Sequence, residues 1–208
     1  MGATEATLII FAYLLGSVPT GYLVGAWKGV DVRTAGSGNI GATNVARLMG
    51  KRQGILTLAA DAAKGFIPVF AAVQLGLAPP EAALAGTAAF LGHLYPVFLK
   101  FQGGKGVATA LGVFVGLAPL ATPVLIVIFA AVALASRIVS LSSMAAALAA
   151  PVTLWFFSYP PPVVGLSAFI ASMITIRHRA NLRRLLAGTE PRFGSVRVSS
   201  GDGGNPAP

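Results

Sequence analysis

Cysteine is absent from this 208-residue sequence, and histidine occurs only twice, as His93 and His178. The lack of cysteine excludes disulfide bonds, thiolate metal ligands and thioester intermediates, and two histidines cannot form a typical histidine-rich zinc site. We therefore expect neither a metal ion nor another cofactor. Charged residues are also scarce, at 10% of the chain, whereas soluble domains usually carry about 25%. This shortage indicates a chain adapted to a solvent other than water.

Apolar residues account for 55% of the chain and occur in long blocks. The blocks are too long for core strands and match membrane spans of about 20 residues each. They lie at 6–27, 54–77, 82–99, 107–118, 119–136, 141–158 and 162–176. The first block does not resemble a signal peptide, because Glu5 stands where a basic segment would precede it. The pattern predicts an all-α polytopic integral membrane protein with seven transmembrane helices.

The fourth and fifth blocks adjoin each other. One helix over 107–135 would be about 43 Å long, which exceeds a hydrocarbon core of about 30 Å but is too short for two full spans. Pro119 and Pro123 lie in the middle of this stretch. Prolines there favour a turn between two short helices.

Basic residues outnumber acidic ones by 15 to 6, and the net charge is +9 at pH 7. Seven spans with the N-terminus outside place the basic loops and the basic C-terminal segment on one side, whereas six spans would export Arg137 and that segment. The positive-inside rule favours seven spans and a cytoplasmic C-terminus. It also explains the charge without nucleic acid as a partner. We predict one membrane-embedded domain over 1–197 and a disordered tail over 198–208.

The first of three polar clusters occupies residues 35–47. Its small residues let a ligand approach the backbone N–H groups, and Arg47 can hold a phosphate with two hydrogen bonds. A flexible glycine-rich loop is the alternative, but it does not explain the polar residues. The candidate anion-binding residues are Ser37, Gly38, Asn39, Thr43, Asn44 and Arg47.

The second cluster, residues 92–106, ends in Gly103-Gly104-Lys105-Gly106, which precedes an apolar helix. The free N–H groups of a helix start and the lysine ammonium suit a phosphate. As an alternative, Lys100 and Lys105 only anchor the chain at the membrane interface. His93 lies within a span, where a hydrogen-bonded packing role is the more common one.

The third cluster, residues 177–190, has helical spacing. Its polar face carries Arg177, His178, Asn181 and Arg184, and leucines form another face. This pattern is typical of an amphipathic helix on a membrane surface. An anchor for anionic lipids is the alternative, but a histidine and an asparagine add little to such an anchor, so we favour a site.

Several polar residues lie in or beside the predicted spans. Asp61 and Lys64 are three residues apart in the second span, where a structural salt bridge is the preferred interpretation. The cytoplasmic start of the sixth span carries Ser140, Ser142 and Ser143, which either cap that helix or reach the site.

Taken together, these clusters resemble the bacterial acyl-phosphate:glycerol-3-phosphate acyltransferase family. The resemblance also includes residues 16–22 and 61–65 and covers nearly the whole chain in order. One departure is Gln102, where many family members have lysine. The resemblance implies transfer of an acyl group from acyl phosphate to the 1-hydroxyl of glycerol 3-phosphate. The products would be lysophosphatidic acid and phosphate, in the first step of phospholipid synthesis.

The resemblance also implies roles and partners. Ser37, His178 and Asn181 would be catalytic, and Gly103, Gly104, Lys105, Ser142, Arg177 and Glu190 would join the first cluster in binding the substrates. The enzyme would lie in the bacterial cytoplasmic membrane among its lipids, with the site facing the cytoplasm and transient contact with the enzyme that forms acyl phosphate. The His-x4-Asp dyad of other glycerolipid acyltransferases is missing, since Phe98 and Arg183 stand at that distance from the two histidines.

Two questions remain open at the level of sequence. A phosphate or organic-anion transporter is the alternative function, but it needs a site near the middle of the membrane between repeats, and no repeat is visible. The proton of the attacking hydroxyl passes either to His178 or to a phosphate oxygen of the donor. We expect a ternary complex, because acyl phosphate is reactive enough without an acyl-Ser37 intermediate.

Overall fold

The computed structural model describes residues 2–193, and within this range the chain is helical, with no β-strand. The α-helices are α1 (Ala3–Ser17), α2 (Thr20–Trp27), α3 (Ala42–Met49), α4 (Lys51–Gln74), α5 (Pro79–Leu94), α6 (Val107–Leu117), α7 (Thr122–Ser136), α8 (Val139–Phe156), α9 (Pro161–Arg177) and α10 (Arg179–Leu186). A short 3-10 helix, Val97–Leu99, follows α5. The all-α class is confirmed. The tail predicted over 198–208 lies outside the described residues.

Each of the seven predicted apolar blocks is helical. Four helical stretches are long and apolar enough to cross a membrane: Ala3–Trp27, Lys51–Gln74, Pro79–Leu99 and Val139–Phe156. The shorter apolar helices are α6, α7 and α9. Length alone therefore accounts for four crossings, and the count of seven remains a prediction.

The first predicted span is broken between α1 and α2. Pro19 lacks an N–H group and cannot continue the hydrogen-bond ladder of a helix. The carbonyl of Val18 is left free of its helical partner, and it accepts hydrogen bonds from the Thr20 N–H (3.0 Å) and from Lys64 Nζ (2.9 Å).

The turn predicted between two short helices is present. α6 ends at Leu117 and α7 begins at Thr122. Pro123 lies in the first turn of α7, where its missing N–H has no helical partner to lose. Residues 107–135 therefore form two short helices instead of one long helix.

Close contacts between small residues hold the helices together. A Cβ at Gly112 of α6 would collide with the backbone of Ala62 on α4, and a Cβ at Gly16 of α1 would collide with Ala89 on α5. Small residues at such crossings are typical of helices that pack in a bilayer, where backbones gain dispersion contacts by close approach. The outward faces carry large apolar side chains, among them Leu134, Trp155 and Phe156, each more than 70% exposed.

Three connections meet at one end of this bundle. The first loop, residues 28–41, joins α2 to α3, and the second loop, residues 100–106, leads from the 3-10 helix into α6. The junction between α9 and α10 meets the second loop through Arg177, which donates to the carbonyls of Gly103 and Gly104, and it lines the same cavity as the first loop. These connections carry the three polar clusters of the sequence.

Candidate active site

A cavity of about 300 Å³ lies between the two loops and α10. Its lining consists of Ser37, Gly38, Asn39, Gly103, Lys105, Arg177, Arg179, Ala180, Asn181 and Arg184. Each of the three polar clusters contributes to this lining, as the sequence predicts. The cavity therefore concentrates four cationic side chains in one place, which suits a phosphorylated ligand. The backbone N–H groups of Ser37, Gly38 and Gly103, by contrast, donate to Asn44 Oδ1 and to the carbonyls of Ala35 and Leu94.

Asn44 holds the first loop in shape. Its side-chain amide nitrogen lies within 3.1 Å of the carbonyls of Val32, Ala35 and Asn39, and its Oδ1 accepts the N–H of Ser37 at 2.8 Å. The residue is buried. The amide donors of Asn44 thus bind carbonyls of the loop. Asn44 therefore stabilises the loop and offers no free donor to a phosphate, which differs from the prediction made from the sequence.

The glycines of the first loop are required by its backbone. Gly36 and Gly38 have φ of +62° and +69°, in the left-handed region that favours glycine. A Cβ on Gly36 would also collide with Asn44 Oδ1. The resulting turn leaves Ser37 exposed at the cavity, where its hydroxyl is available to a ligand.

Thr43 and Arg47 lie on α3 behind the first loop, and both are exposed. The Arg47 guanidinium lies 3.4 Å from Asn44 Oδ1. The positive charge of Arg47 helps to lower the pKa of Lys105 on the other side of the site. Neither Arg47 nor Thr43 lines the cavity.

The second loop is held by two sets of contacts, one from the end of α5 and one from Arg177 at the end of α9. The N–H groups of Gly103 and Gly104 donate to the carbonyls of Leu94 (3.2 Å) and His93 (3.1 Å) at the end of α5. From the other side, Arg177 donates to the carbonyls of Gly103 (2.6 Å) and Gly104 (3.0 Å). Arg177 therefore orients the loop while it also lines the cavity.

Lys105 links the second loop to α10, since its Nζ donates to Asn181 Oδ1 at 2.5 Å. Burial lowers the pKa of Lys105 to about 8; Glu190 opposes this shift, and Arg184, Arg47 and Arg177 add to it. A bound phosphate would reverse the effect, because an adjacent anion favours the charged ammonium. Lys105 is thus a cation whose charge depends on the occupant of the cavity.

Glu190 fixes the position of Asn181. Its Oε1 accepts hydrogen bonds from Asn181 Nδ2 (2.6 Å) and the Ser140 hydroxyl (2.7 Å), and its Oε2 accepts from Arg184 Nε (2.7 Å). Burial alone would raise the pKa of Glu190, but these three hydrogen bonds hold it below its ordinary value. The carboxylate stays ionised and turns Asn181 Oδ1 toward Lys105.

His178 is only 3% exposed, and its Nδ1 lies 2.8 Å from the carbonyl of Ile174. A carbonyl only accepts hydrogen bonds, so Nδ1 carries the proton and Nε2 has the free lone pair. Burial lowers the pKa of His178 to about 4, and the nearby charge of Lys105 contributes. His178 is therefore neutral at pH 7, and its Nε2 can accept a proton or a hydrogen bond, although the buried residue does not line the cavity itself.

Ser142 does not line the cavity. It is fully buried, and its hydroxyl donates to the carbonyl of Ile138. Ser140, about half a helical turn earlier, reaches Glu190 instead. Sequence reasoning also omitted Arg179 and Arg184 from the binding set, although the helical spacing had already placed Arg184 on the polar face.

Comparison with known proteins agrees with this arrangement. Residues 6–188 match the family described as glycerol-3-phosphate acyltransferase. The chain belongs to the glycerol-3-phosphate acyltransferase family. A member from Geobacter metallireducens is 57% identical over 189 residues, which cover 91% of this chain and 97% of that protein. The family resemblance in the sequence is confirmed.

The fold is likewise that of the family. The chain is similar to a crystal structure of PlsY, an integral membrane glycerol 3-phosphate acyltransferase, in its glycerol 3-phosphate form, with a TM-score of 0.90 and 44% identity over 92% of this chain and 96% of that one. A lysophosphatidic acid form of PlsY gives a TM-score of 0.87 and 43% identity, with the same coverage. The protein is therefore an all-helical integral membrane acyltransferase of this family.

Proposed function

We propose that the protein transfers the acyl group of an acyl phosphate to the 1-hydroxyl of glycerol 3-phosphate, giving lysophosphatidic acid and phosphate. The observation that carries this proposal is the convergence of three polar clusters on one cavity in a chain of this family. Both substrates carry a phosphate, so the site needs several cationic groups. Lys105, Arg177, Arg179 and Arg184 line the cavity, and Arg47 lies nearby.

The positions of the polar groups suggest how two substrates divide the cavity. The exposed hydroxyl of Ser37 holds the acyl phosphate, with Arg47 beside it. His178 and Asn181 position glycerol 3-phosphate, whose phosphate binds Lys105 and the arginines of α10. The 1-hydroxyl then lies against the acyl carbonyl, and this positioning removes much of the entropic barrier to the reaction.

The reaction is direct. The 1-oxygen of glycerol 3-phosphate forms a bond to the acyl carbon, the bond from that carbon to the phosphate oxygen breaks, and phosphate leaves with the electron pair. The proton of the hydroxyl passes to His178 Nε2 or to the departing phosphate. With a pKa near 4, His178 is a weak base, which is adequate for an acyl donor that is already activated.

An acyl-serine route is less well supported by the same geometry. A serine nucleophile needs a base that is itself oriented and strengthened by a third group, often a carboxylate. Glu190 does not serve His178 in this way, because its oxygens bind Ser140, Asn181 and Arg184. We therefore assign Ser37 to substrate binding, in contact with the donor.

We further propose that the protein crosses the bacterial cytoplasmic membrane seven times, with its N-terminus outside and the cavity facing the cytoplasm. The one-sided distribution of basic residues supports this orientation. Acyl phosphate would arrive by transient contact with the enzyme that forms it, which limits its hydrolysis in water. Because the chain lacks cysteine, single cysteines can be introduced and labelled in intact cells with an impermeant reagent. Labelling of Phe101→Cys from outside would contradict this orientation.

The direct test is phosphate release from synthetic acyl phosphate by the purified protein in lipid nanodiscs. We expect rapid release only when glycerol 3-phosphate is present, with lysophosphatidic acid formed in equal amount by mass spectrometry. Lys105→Met is the matched control, because it keeps a long unbranched side chain but removes the charge. Rapid release without any acceptor, or no release at all, would contradict the proposal.

A further inference from the structure

A buried cluster of three ionisable residues lies inside the helical bundle, apart from the cavity. It consists of Asp61 and Lys64 on α4 and His93 on α5, each less than 5% exposed. Lys64 Nζ lies 2.9 Å from Asp61 Oδ1, and His93 Nδ1 lies 3.7 Å from the same oxygen. The expected salt bridge is thus present, with a histidine as its third member. Burying three ionisable groups costs stability, and none of them lines the cavity.

On one side, this cluster reaches the first loop through α2. Lys64 Nζ donates to the carbonyl of Val18 at the break between α1 and α2. α2 in turn lies directly on the first loop, where a Cβ at Gly21 would collide with the carbonyl of Ile40. The position of α2 therefore sets the position of the loop that presents Ser37.

On the other side, the cluster reaches the second loop through His93. The His93 carbonyl accepts the N–H of Gly104 at 3.1 Å. The imidazole ring packs against the same residue, since a Cβ at Gly104 would collide with His93 Nε2. The ring of His93 thus packs directly against Gly104, the residue that precedes Lys105.

His93 Nδ1 has no hydrogen-bond partner among residues 2–193. The Asp61 carboxylate, 3.7 Å away, electrostatically favours a tautomer with the proton on Nδ1. A ring held only for packing would more commonly have its buried nitrogen satisfied. Its orientation toward the charge of Asp61 suggests that the ring is placed for the loop above it.

We infer that Asp61, Lys64 and His93 are positioning residues that fix the two substrate-binding loops relative to each other. This inference rests on the proposed function, because the loops matter to the reaction only if both bind substrates. The cluster connects the break at Val18 to Gly104 through one set of buried contacts. A shift of about 1 Å between reacting groups lowers rates by about 100-fold, so the spacing of the loops needs such support.

The loop spacing can be measured without an activity assay. Thr34→Cys and Phe101→Cys place spin labels on the two loops, outside the groups that we assign to catalysis or binding, in a chain that has no other cysteine. We expect a narrow distance distribution by pulsed electron paramagnetic resonance in nanodiscs. His93→Gln in the same background should broaden or shift it, and its kcat/KM should fall by about 100-fold. Thr57→Val is the matched control, because it removes a buried hydroxyl from α4 outside the cluster.

A second variant separates positioning from simple stability. Asp61→Asn combined with Lys64→Met leaves no unpaired buried charge, so it should fold even if His93→Gln does not. We expect this variant to unfold near the wild-type temperature. Its distance distribution between the two loops should nevertheless be broader than that of the wild type, and its kcat/KM should be lower. Recovery of both wild-type values in the double variant would overturn the inference. If the wild-type protein itself lacks activity, the proposed function fails, and the distance measurements still test the positioning.

Discussion

The two loops that line the cavity obtain their shapes in different ways. The first loop is supported locally, since Asn44 binds backbone groups of four residues that are at most 12 positions away. The second loop has local hydrogen bonds to His93 and Leu94 but also depends on a distant residue, because Arg177 reaches Gly103 and Gly104 from more than 70 positions away. One loop is thus fixed by a single residue of its own region, whereas the support of the other is divided between α5 and α9. A single substitution should therefore damage the first loop more severely than the second.

The largest effect is expected for Asn44→Ala. Several buried carbonyls of the first loop would lose their donor, at a cost of about 1–3 kcal/mol each. We expect kcat/KM to fall by about 100- to 1,000-fold, with a smaller change in the unfolding temperature of the whole bundle. Asn44→Asp keeps an acceptor for the Ser37 N–H but lacks the amide donors, so it should also be impaired. Near-normal kinetics of Asn44→Asp would show that the donors do not support the loop.

Next in size is the loss of the Lys105 charge in the second loop. A charge-assisted hydrogen bond is worth about 1.5–3 kcal/mol, so Lys105→Met should lower kcat/KM by about 10- to 150-fold. The fold should persist, because the second loop keeps its bonds to His93, Leu94 and Arg177. Steady-state kinetics and thermal unfolding in the same nanodiscs measure both quantities. An Lys105→Met enzyme with wild-type kinetics would remove Lys105 from the binding site.

A smaller effect is expected for Arg177→Lys. One ammonium cannot satisfy two adjacent carbonyls as the guanidinium fork does. The loss of one such bond should lower kcat/KM by about 10-fold. The backbone hydrogen bonds of Gly103 and Gly104 to α5 limit the damage. If Arg177→Lys proved more harmful than Asn44→Ala, the distinction between a loop held by a single residue and a loop with divided support would be wrong.

The mildest perturbation is a change of pH. The pKa of Lys105 is lowered to about 8, so Lys105 is charged below this pH and loses its charge above it. We expect kcat/KM to decline above about pH 8, and kcat to decline less, because bound phosphate favours the charged form. Lys105→Arg should lose this alkaline limb, since arginine stays charged. An unchanged limb in Lys105→Arg would assign the titration to another group.

The sequence was sufficient to predict the helices and the meeting of the polar clusters, because hydropathy and one-sided charge are properties of the chain itself. The hydrogen-bond partners of the individual site residues were less predictable. Nothing in the residue pattern distinguishes Ser140 from Ser142, since the rotation of α8 decides which hydroxyl meets Glu190. The sequence predicts Asn44 as a hydrogen-bond donor to phosphate. Its actual partners are loop carbonyls that come close to it only when the first loop folds. The break between α1 and α2 results from the missing N–H group of Pro19, so it could have been predicted from the sequence.

The central claim is that both substrates bind together and that the acyl group passes directly between them. Initial-rate kinetics with acyl phosphate and glycerol 3-phosphate varied against each other test it most directly. The account predicts intersecting double-reciprocal lines and no covalent adduct on the protein by mass spectrometry. Parallel lines, together with an acyl group trapped on Ser37, would contradict it.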